Sequence, residues 1–507
     1  MNRPFDAGSY ELMKTGVSFS ASDDRLKMLY DKAEAACAGN KIVYDSKVFL
    51  REGGGYRNIW PETQPMGGAM YACRDPEPGM NNCLVFMQYQ RRDGRIPGML
   101  FNDPNRGLCA AYSWFQGFCF PRPALQMYYY SGMRREYLEM LYNTLKDYDA
   151  YLWANRADEN GLLERWCCWD TGEDNLSLLL ENGGCDGHFG GEIRPEPVIN
   201  EMPWKSMEFM AYSCCARDTL ADISRMLSNG EETFWRGKAQ ELRRRVKEQM
   251  WVAERKACFD IDSRGRRLDC LSHVNLRCMY YGLFTPEMAE DFVRTHLLNP
   301  QEFDTPVPIP SIAVNDPWFR NIRNNNWSGP SQGLTMQRSV CALLNYGYCA
   351  EAVHFGRKWL DNLIKTGVLT QQYDPFTGVP STGPDGYGPT SLSVLEYIAL
   401  MYGVHVENDL LAFGAAEDGT ETNYIQTLGE NTYRLVRRDG RMLGYMNERK
   451  LFDAPQGLRI TVSTDGMPLS VTSLKEESFE AELTLDVRKT LLECAKNRCI
   501  EVIGGQA

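Results

Sequence analysis

Four carboxylates and two indole rings lie in one short run, at residues 163–175 (LERWCCWDTGEDN). Cleavage of a glycosidic bond needs a carboxylic acid that protonates the leaving oxygen and a second carboxylate opposite it. Neighbouring aromatic surface can raise the pKa of such an acid. The same residue types also suit the first turn of a helix, where acidic groups favour the helix dipole and Asp or Thr caps the end. The residue types and their spacing leave both interpretations open.

The run at residues 169–175 (WDTGEDN) resembles the acid-bearing motif of trehalases, α-glucosidases and mannosylglycerate hydrolases, the group that includes glycoside hydrolase family 63. The resemblance places Asp174 on the residue that acts as general acid in that group. Asp170 stands where the group usually has Glu, a residue expected to hydrogen-bond sugar hydroxyls.

Four further stretches resemble motifs of the same group and occur in the same order along the chain. They are residues 92–97 (RDGRIP), 326–330 (NWSGP), 372–378 (QYDPFTG) and 387–391 (YGPTS). Within the second stretch, Ser328 replaces an Arg of the group. The ordered set covers about residues 55–402 and implies an (α/α)6 toroid with its site at one mouth.

Position 371 departs from the group, because Gln371 stands where a Glu commonly acts as catalytic base. Some members of the group place this Glu directly before the Tyr, but that position is Gln372 here, so this alignment restores no carboxylate either. An amide cannot accept a proton from water at neutral pH. One interpretation is an introduced Glu-to-Gln exchange, which is isosteric and typical of variants that trap a substrate complex. Alternatively, Asp374 or Asp385 acts as the base, phosphate replaces water, or the protein binds sugar without cleaving it.

The long loops carry residue types that bind sugars, since aromatic faces pack on pyranose C–H groups while amides and carboxylates bind adjacent hydroxyls. The candidates for the sugar pocket are Trp60, Glu62, Gln64, Trp114, Gln116, Trp169, Asp170, Trp327, Gln332, Tyr373 and Tyr387. For His188, in a glycine-rich loop without an evident partner acid, we expect a packing role.

These residues and the resemblance predict an inverting, exo-acting α-glycoside hydrolase that acts on a small glycoside or oligosaccharide. The alternatives are an inverting phosphorylase and an inactive sugar-binding protein. Inversion requires the side chains of Asp174 and Gln371 to lie roughly 6.5–9.5 Å apart. No cofactor or metal is expected, because the five histidines and the adjacent cysteine pairs lack the spacing of zinc ligands.

Apolar residues recur at helical spacing between about residues 21 and 404, which predicts a mainly α catalytic region over residues 1–406. The predicted helices cover residues 25–38, 123–154, 205–227, 231–252, 286–297, 333–346, 350–366 and 389–402. Between them lie loops too long for a simple bundle, and such loops are usually functional. Short alternating segments separated by turn residues predict a small antiparallel, sandwich-like β domain over residues 407–507.

Composition narrows the possible partners and the compartment. The net charge of −12 is spread along the 507 residues, which argues against nucleic-acid binding. No apolar run approaches the roughly 18 residues of a membrane span, and residues 1–18 show no secretion signal. The 17 cysteines are odd in number and irregularly spaced, as expected for reduced thiols. We therefore expect a cytoplasmic protein whose partner is a small carbohydrate; the oligomeric state is not predicted.

Overall fold

The computed structural model describes residues 5–181, 193–196, 202–325, 327–485 and 487–502. His188 and Asn326 therefore lie outside the described residues. The helices within the described ranges are α1 (Asp24–Gly39), α2 (Gln64–Tyr71), α3 (Pro76–Gln88), α4 (Pro121–Tyr130), α5 (Arg135–Asn155), α6 (Ser177–Leu180), α7 (Met207–Leu227), α8 (Glu232–Gln249), α9 (Val274–Tyr280), α10 (Pro286–Phe292), α11 (Gly333–Leu344), α12 (Cys349–Thr366) and α13 (Gly388–Tyr402).

Six of these helices contact one another in a closed ring. Helix α2 contacts α4, α4 contacts α7, α7 contacts α9, α9 contacts α11, α11 contacts α13, and α13 returns to α2. A second helix packs on most of them: α3 on α2, α5 on α4, α8 on α7, α12 on α11 and α1 on α13. All 15 residues of α13 are buried, whereas the 18-residue α8 buries only four along one face. Helix α13 of the ring is thus enclosed on all sides, whereas the outer helix α8 exposes its other face to solvent; among the outer helices α3 is also largely buried.

The predicted helix at 123–154 is in fact two helices, α4 and α5. The chain breaks between them at Gly132 and Met133, whose φ angles of 69° and 52° lie in the left-handed region. Left-handed residues end a helix because they turn the chain away from its axis. The other predicted helices are present with ends that differ by a few residues.

The strands among the described residues are β1 (Thr15–Ala21), β2 (Lys41–Tyr44), β3 (Lys47–Leu50), β4 (Met99–Asp103), β5 (Gly107–Ala111), β6 (Glu164–Arg165), β7 (Trp204–Lys205), β8 (Trp251–Val252), β9 (Ala257–Cys258), β10 (Ser331–Gln332), β11 (Gln372–Tyr373), β12 (Val404–Glu407), β13 (Leu410–Ala415), β14 (Thr422–Leu428), β15 (Asn431–Arg438), β16 (Arg441–Met446), β17 (Arg449–Pro455), β18 (Leu458–Ser463), β19 (Pro468–Ser473), β20 (Phe479–Leu485), β21 (Arg488–Cys494) and β22 (Cys499–Glu501).

Two antiparallel sheets form the β region. One has seven strands in the order β1-β14-β15-β16-β17-β20-β21, and the other has five in the order β12-β13-β18-β19-β22. The rings of Phe413 on β13 and Phe452 on β17 meet edge to face at 5.2 Å, which joins the two sheets. The predicted combination of a helix-rich region with an antiparallel β domain is therefore confirmed.

Strand β1 links the beginning of the chain to this β region. It pairs with β14 along its whole length, from Thr15 opposite Leu428 to Ala21 opposite Thr422. The sequence did not predict this strand, because its partner lies about four hundred residues away and β pairing leaves little local pattern. The β region therefore includes one strand from the N-terminal side of the predicted boundary between residues 406 and 407.

Two general features concern the described part of the chain. Its helices include none that is both long and apolar enough to cross a membrane. Its 16 cysteines are all free thiols, and most of them are buried.

Close packing of α2 against α3 depends on glycine. A Cβ atom on Gly79 would overlap the backbone oxygen of Gly68. We expect Gly79→Ala to lower the free energy of unfolding by about 1–3 kcal/mol, because the two helices would have to move apart. Gly237→Ala on α8 is the matched control, since a Cβ there meets nothing within 4 Å. That exchange should raise stability by about 0.5–1 kcal/mol. Urea unfolding midpoints measure both, and shifts in the same direction would contradict this account of the packing.

Candidate active site

Three ring helices and the loop before α2 bring charged side chains together inside the ring. Arg277 on α9 binds Glu208 on α7, with its Nη1 atom 2.8 Å from Oε1. Glu62, just before α2, lies 3.2 Å from Arg338 on α11 and 3.5 Å from Arg277. All four side chains are buried. Burial raises the pKa of Glu62, and the two guanidinium groups oppose that shift. Because an unpaired charge here would be costly, these pairs hold four segments together.

A second cluster anchors the acid motif to the same centre. The Nε2 atom of His273 lies 3.2 Å from Glu173, and its Nδ1 atom lies 3.1 Å from the Thr335 hydroxyl. Burial and the charge of Arg277 lower the pKa of His273 to about 4, so the ring is neutral at pH 7. Nε2–H therefore donates to the Glu173 carboxylate, and Nδ1 accepts from Thr335. Burial would raise the pKa of Glu173, but the bond from His273 and the nearby cations lower it to about 2.

Asp174, the predicted general acid, follows this anchored residue and is exposed to solvent. Surrounding protein partly desolvates its carboxyl group and raises its pKa, although backbone N–H groups and the Trp327 indole donate hydrogen bonds to it. Asn175 fixes the Trp327 loop, since its Oδ1 atom accepts from the Trp327 backbone N–H at 3.0 Å. The indole of Trp327 stacks on His273 at 5.2 Å. The acid motif and the loop at residues 327–330 are thus in direct contact.

Asp170 requires a correction, because the structure does not leave it free to bind sugar hydroxyls. Its side chain is fully buried, and protein donors occupy both oxygens. The donors are Arg156 Nη1 at 2.9 Å and the backbone N–H groups of Trp166, Cys167 and Phe115 at 2.7, 3.3 and 3.2 Å. Burial would raise the pKa of Asp170, but Arg156 and these bonds lower it. Asp170 therefore holds the acid loop in its conformation through these buried hydrogen bonds.

Gln371 lies on the loop that leads into β11. Its Oε1 atom accepts a hydrogen bond from the Tyr56 hydroxyl at 3.1 Å, and its backbone oxygen accepts from Gly333 at 3.0 Å. Strands β10 and β11 pair next to it and connect it to the Trp327 loop. Asp174 and Gln371 are therefore on neighbouring loops, and their separation of roughly 6.5–9.5 Å stays a prediction.

Glu52, a carboxyl group that the sequence did not single out, lies close to Tyr56, the residue that binds Gln371. The hydroxyl of Tyr387 donates to Glu52 Oε1 at 2.6 Å, and the Tyr387 ring lies 6.2 Å from that of Tyr56. Burial raises the pKa of Glu52 to about 8; the bond from Tyr387 opposes this shift, and the charges of Glu62 and Asp174 add to it.

The two carboxylates proposed from the sequence as replacement bases are held by local donors. Asp374 accepts from the backbone N–H groups of Phe376 and Thr377 at 2.9 and 2.8 Å. Asp385 pairs with Lys32 at 2.5 Å and accepts from the backbone of Leu369 at 2.7 Å. These bonds outweigh burial and lower the pKa of both groups. The structure therefore does not support either residue as the base.

Six further predicted pocket residues are buried by the protein: Glu62, Gln64, Trp327, Gln332, Tyr373 and Tyr387. Gln64 is buried and accepts from the backbone N–H of Trp60 at 2.5 Å and from Thr63 Oγ1 at 2.7 Å, at the start of α2. Gln332 and Tyr373 are fully buried in the β10–β11 ribbon. The prediction that these six side chains line the pocket is corrected, since burial leaves almost none of their surface to offer a sugar.

Four of the predicted pocket residues keep accessible surface. Trp60, Trp114, Gln116 and Trp169 are half-buried. The rings of Trp114 and Trp169 meet at 5.1 Å, and the backbone N–H of Gln116 donates to the Trp169 oxygen at 3.1 Å. The loop at 93–122 thus packs directly on the acid loop, and these side chains stay candidates for the sugar pocket.

Several site residues had not been predicted. They are Glu52, Tyr56, Glu208, His273, Arg277 and Arg338. A signal existed for two of them: Arg277 and Arg338 are isolated cations in the apolar helices VNLRCMY and GLTMQRSVCALL. A charged residue enclosed by apolar neighbours on a buried helix requires a buried partner, although the sequence does not show which one.

Other possible sites are separate from this one. The residues that the structure describes include no group of three or more His, Cys, Asp and Glu side chains that could hold a metal ion. A cavity of about 410 Å³ is lined by residues from the C-terminal parts of the ring helices and by β12, among them Glu396 and His405. None of the candidate residues lines it.

The neutral state of His273 gives a pH dependence of stability. The unfolded chain takes up a proton near the ordinary pKa of 6.5, whereas the folded chain resists it until about pH 4. Protonation therefore favours the unfolded state, and the free energy of unfolding should fall as the pH drops through this window, by up to ~1.4 kcal/mol per unit. We expect His273→Gln to fall less steeply than the native protein in urea titrations between pH ~7 and ~5. Equal slopes would contradict a neutral, buried His273.

Comparison with solved structures shows a shared fold. Mannosylglycerate hydrolase from Thermus thermophilus, solved with glucose, is 16% identical over 72% of this chain and 99% of that protein, with a TM-score of 0.59. Neutral trehalase Nth1 from Saccharomyces cerevisiae is 14% identical over 73% and 80%, with a TM-score of 0.52. A family 78 rhamnosidase of Bacillus sp. GL1 is 12% identical over 86% and 42%, with a TM-score of 0.58.

No curated protein matches the sequence. Residues 68–388, more than half of the chain, match the mannosylglycerate hydrolase MGH1-like glycoside hydrolase domain. The family resemblance predicted from the short motifs is thereby confirmed. This chain therefore belongs to the family of MGH1-like glycoside hydrolase domains.

Proposed function

We propose that this member of the family is an inverting, exo-acting α-glycoside hydrolase that acts on a small glycoside or oligosaccharide. The observation that carries the proposal is the placement of Asp174, a solvent-exposed carboxyl group with a raised pKa, on a loop adjacent to that of position 371. We assign the helical region to an (α/α)6 toroid, and the closed ring of six helices supports this assignment.

Asp174 would protonate the leaving oxygen. Its raised pKa favours the protonated form that a general acid needs at the start of the reaction. After the proton has left, backbone N–H groups and the Trp327 indole can stabilise the resulting carboxylate by hydrogen bonds.

The centre of the ring supports an exo mode of action. The paired side chains of Arg277, Arg338 and their carboxylate partners occupy it and are buried. A substrate that enters from the loop side would meet this floor, so its end rather than its middle would reach Asp174. The half-buried indoles of Trp60, Trp114 and Trp169 would flank the sugar.

The names of similar proteins suggest which substrates to test. The T. thermophilus protein is a mannosylglycerate hydrolase and the S. cerevisiae protein a trehalase. A hydrolysis screen should therefore contain mannosylglycerate, trehalose and other α-mannosides, α-glucosides and α-rhamnosides. Each reaction is run with and without phosphate, since cleavage only in the presence of phosphate would favour a phosphorylase instead.

Replacing the general acid should slow cleavage strongly. We expect Asp174→Asn to lower kcat by ~10²–10⁴-fold on substrates with poor leaving groups, because the leaving oxygen then departs unprotonated. The loss should be smaller on aryl glycosides with acidic phenols, which need little protonation. Asp374→Asn is the control and should leave the rate unchanged, since that carboxylate is held in a turn by backbone N–H groups and by the Asn321 amide. Equal losses in the two variants would contradict the assignment of Asp174.

Restoring a carboxylate at position 371 should speed hydrolysis. The native amide can hold a water molecule by hydrogen bonding but cannot take its proton. We expect Gln371→Glu to raise kcat by ~10²–10⁴-fold on the best substrate of the screen. Gln372→Glu, one residue further on and buried in β11, is the matched control. No gain from Gln371→Glu would show that position 371 does not face the attacking water.

A further inference from the structure

With Gln371 unable to accept a proton, hydrolysis in the native chain needs another acceptor. The surrounding carboxylates are almost all occupied by cations or by several donors. Glu62 and Glu208 bind arginines, Glu173 binds His273, and Asp170 is filled by Arg156 and backbone groups. Among the described residues, two buried carboxyl groups differ, because each has a single hydrogen bond and no ion pair: Asp260 accepts from the backbone N–H of Met207, and Glu52 accepts from Tyr387. Of these two, Glu52 is bound by the tyrosine that packs beside Tyr56.

Glu52 also lies on the side of position 371. The hydroxyl of Tyr387 binds Glu52, and the neighbouring Tyr56 hydroxyl binds Gln371 Oε1. The two tyrosine rings are 6.2 Å apart. Tyr387, itself buried, therefore lies between Glu52, which its hydroxyl contacts, and Tyr56, which its ring faces.

We propose that Glu52 is the proton acceptor for hydrolysis in the native chain, reached through the hydroxyl of Tyr387. The inference rests on the hydrolase function proposed above. It assigns a catalytic part to a carboxyl group on the loop before α2 rather than to position 371.

The proposed step balances in atoms and charge. The water oxygen bonds to the anomeric carbon while the bond from that carbon to the leaving oxygen breaks, and Asp174 gives its proton to the leaving oxygen. One water proton passes to the Tyr387 oxygen, and the Tyr387 proton passes to Glu52. The products are an alcohol, a sugar of inverted configuration, an Asp174 carboxylate and a neutral Glu52. Solvent then returns a proton to Asp174 and removes one from Glu52.

The groups that face Glu52 fix its pH dependence. They are Tyr387 at the start of α13, Glu62 before α2, Arg338 on α11 and Asp174 on the acid loop. Burial raises the pKa of Glu52 to about 8 despite the bond from Tyr387, and only the ionised form can accept a proton. The rate of the native enzyme should therefore rise with pH towards about 8 for as long as Asp174 keeps the proton that it must donate. With Gln371→Glu, the introduced carboxylate is the acceptor, and the rate should reach its plateau at lower pH.

A four-way comparison tests the proposal on the full-length protein. The variants are native, Glu52→Gln, Gln371→Glu and the double variant, assayed on the best substrate of the glycoside screen. Glu52→Gln should lower kcat of the native chain by ~10²-fold or more. The same exchange should change little in the Gln371→Glu background, because that background no longer uses Glu52. Tyr387→Phe, which keeps the carboxyl group but removes the hydroxyl, should show the same difference between backgrounds.

Glu396→Gln is the matched control, since Glu396 is a buried Glu near the other end of α13 that binds His405 at 2.9 Å. It should leave the rate and the pH profile unchanged in both backgrounds. Equal losses from Glu52→Gln and Tyr387→Phe in both backgrounds would indicate a structural role and overturn the proposal. No loss in the native chain would overturn it as well. If neither the native chain nor Gln371→Glu cleaves any glycoside of the screen, the hydrolase function itself fails, and this inference fails with it.

Discussion

Two guanidinium groups, those of Arg277 and Arg338, lie at the centre of the helical ring without access to water. A buried cation is tolerated only where carboxylates balance it, and here Glu62 and Glu208 do so. These four residues come from α7, α9, α11 and the loop before α2. Their pairing therefore fixes how the ring helices meet at the end that carries the candidate site, and the loops are built on this charged floor.

The acid loop lies against this floor, since Arg277 Nη1 donates to the backbone oxygen of Thr171 at 3.1 Å. Glu173 is held by the neutral ring of His273, and Asp170 is held by Arg156 and backbone N–H groups. With its neighbours fixed inward on both sides of Gly172, Asp174 is left facing solvent and the Trp327 indole. Gly172 is required here, since its φ of 80° is left-handed and a Cβ would overlap the Glu62 carboxylate. The contacts of Glu173 and Asp170 thus position Asp174, and the charged floor joins the ring helices next to it.

Sequence patterns predicted the parts of the molecule whose signal is local. Amphipathic helices such as α1 and α8 showed their periodicity, and alternating segments predicted most of the β region. Helices α2, α3 and α9 were missed because they are buried on nearly every side and two contain Pro and Gly, so no polar face marks them. The acid motif could be predicted because its residues are consecutive. The floor and Glu52 could not, because their partners are brought together only by the fold.

Burial also separates residues of similar type that the sequence treats alike. Asp170 and Asp174 are four positions apart, yet one is fully enclosed and the other is exposed. Likewise Glu52 and Gln371 differ in whether they can accept a proton, and only the contacts of Tyr387 and Tyr56 relate them. Because position 371 carries an amide, the neighbouring groups Glu52, Tyr387 and Tyr56 also bear on proton transfer.

The central claim is that an acid on one face of the sugar works with water attacking from the other. The most direct measurement is the anomeric configuration of the first product, followed by ¹H NMR before mutarotation, for an α-glycoside cleaved by the Gln371→Glu variant. The predicted result is that the β anomer appears first. Early appearance of the α anomer would contradict the claim, because retention needs a nucleophile only about 5–5.5 Å from the acid and a covalent intermediate.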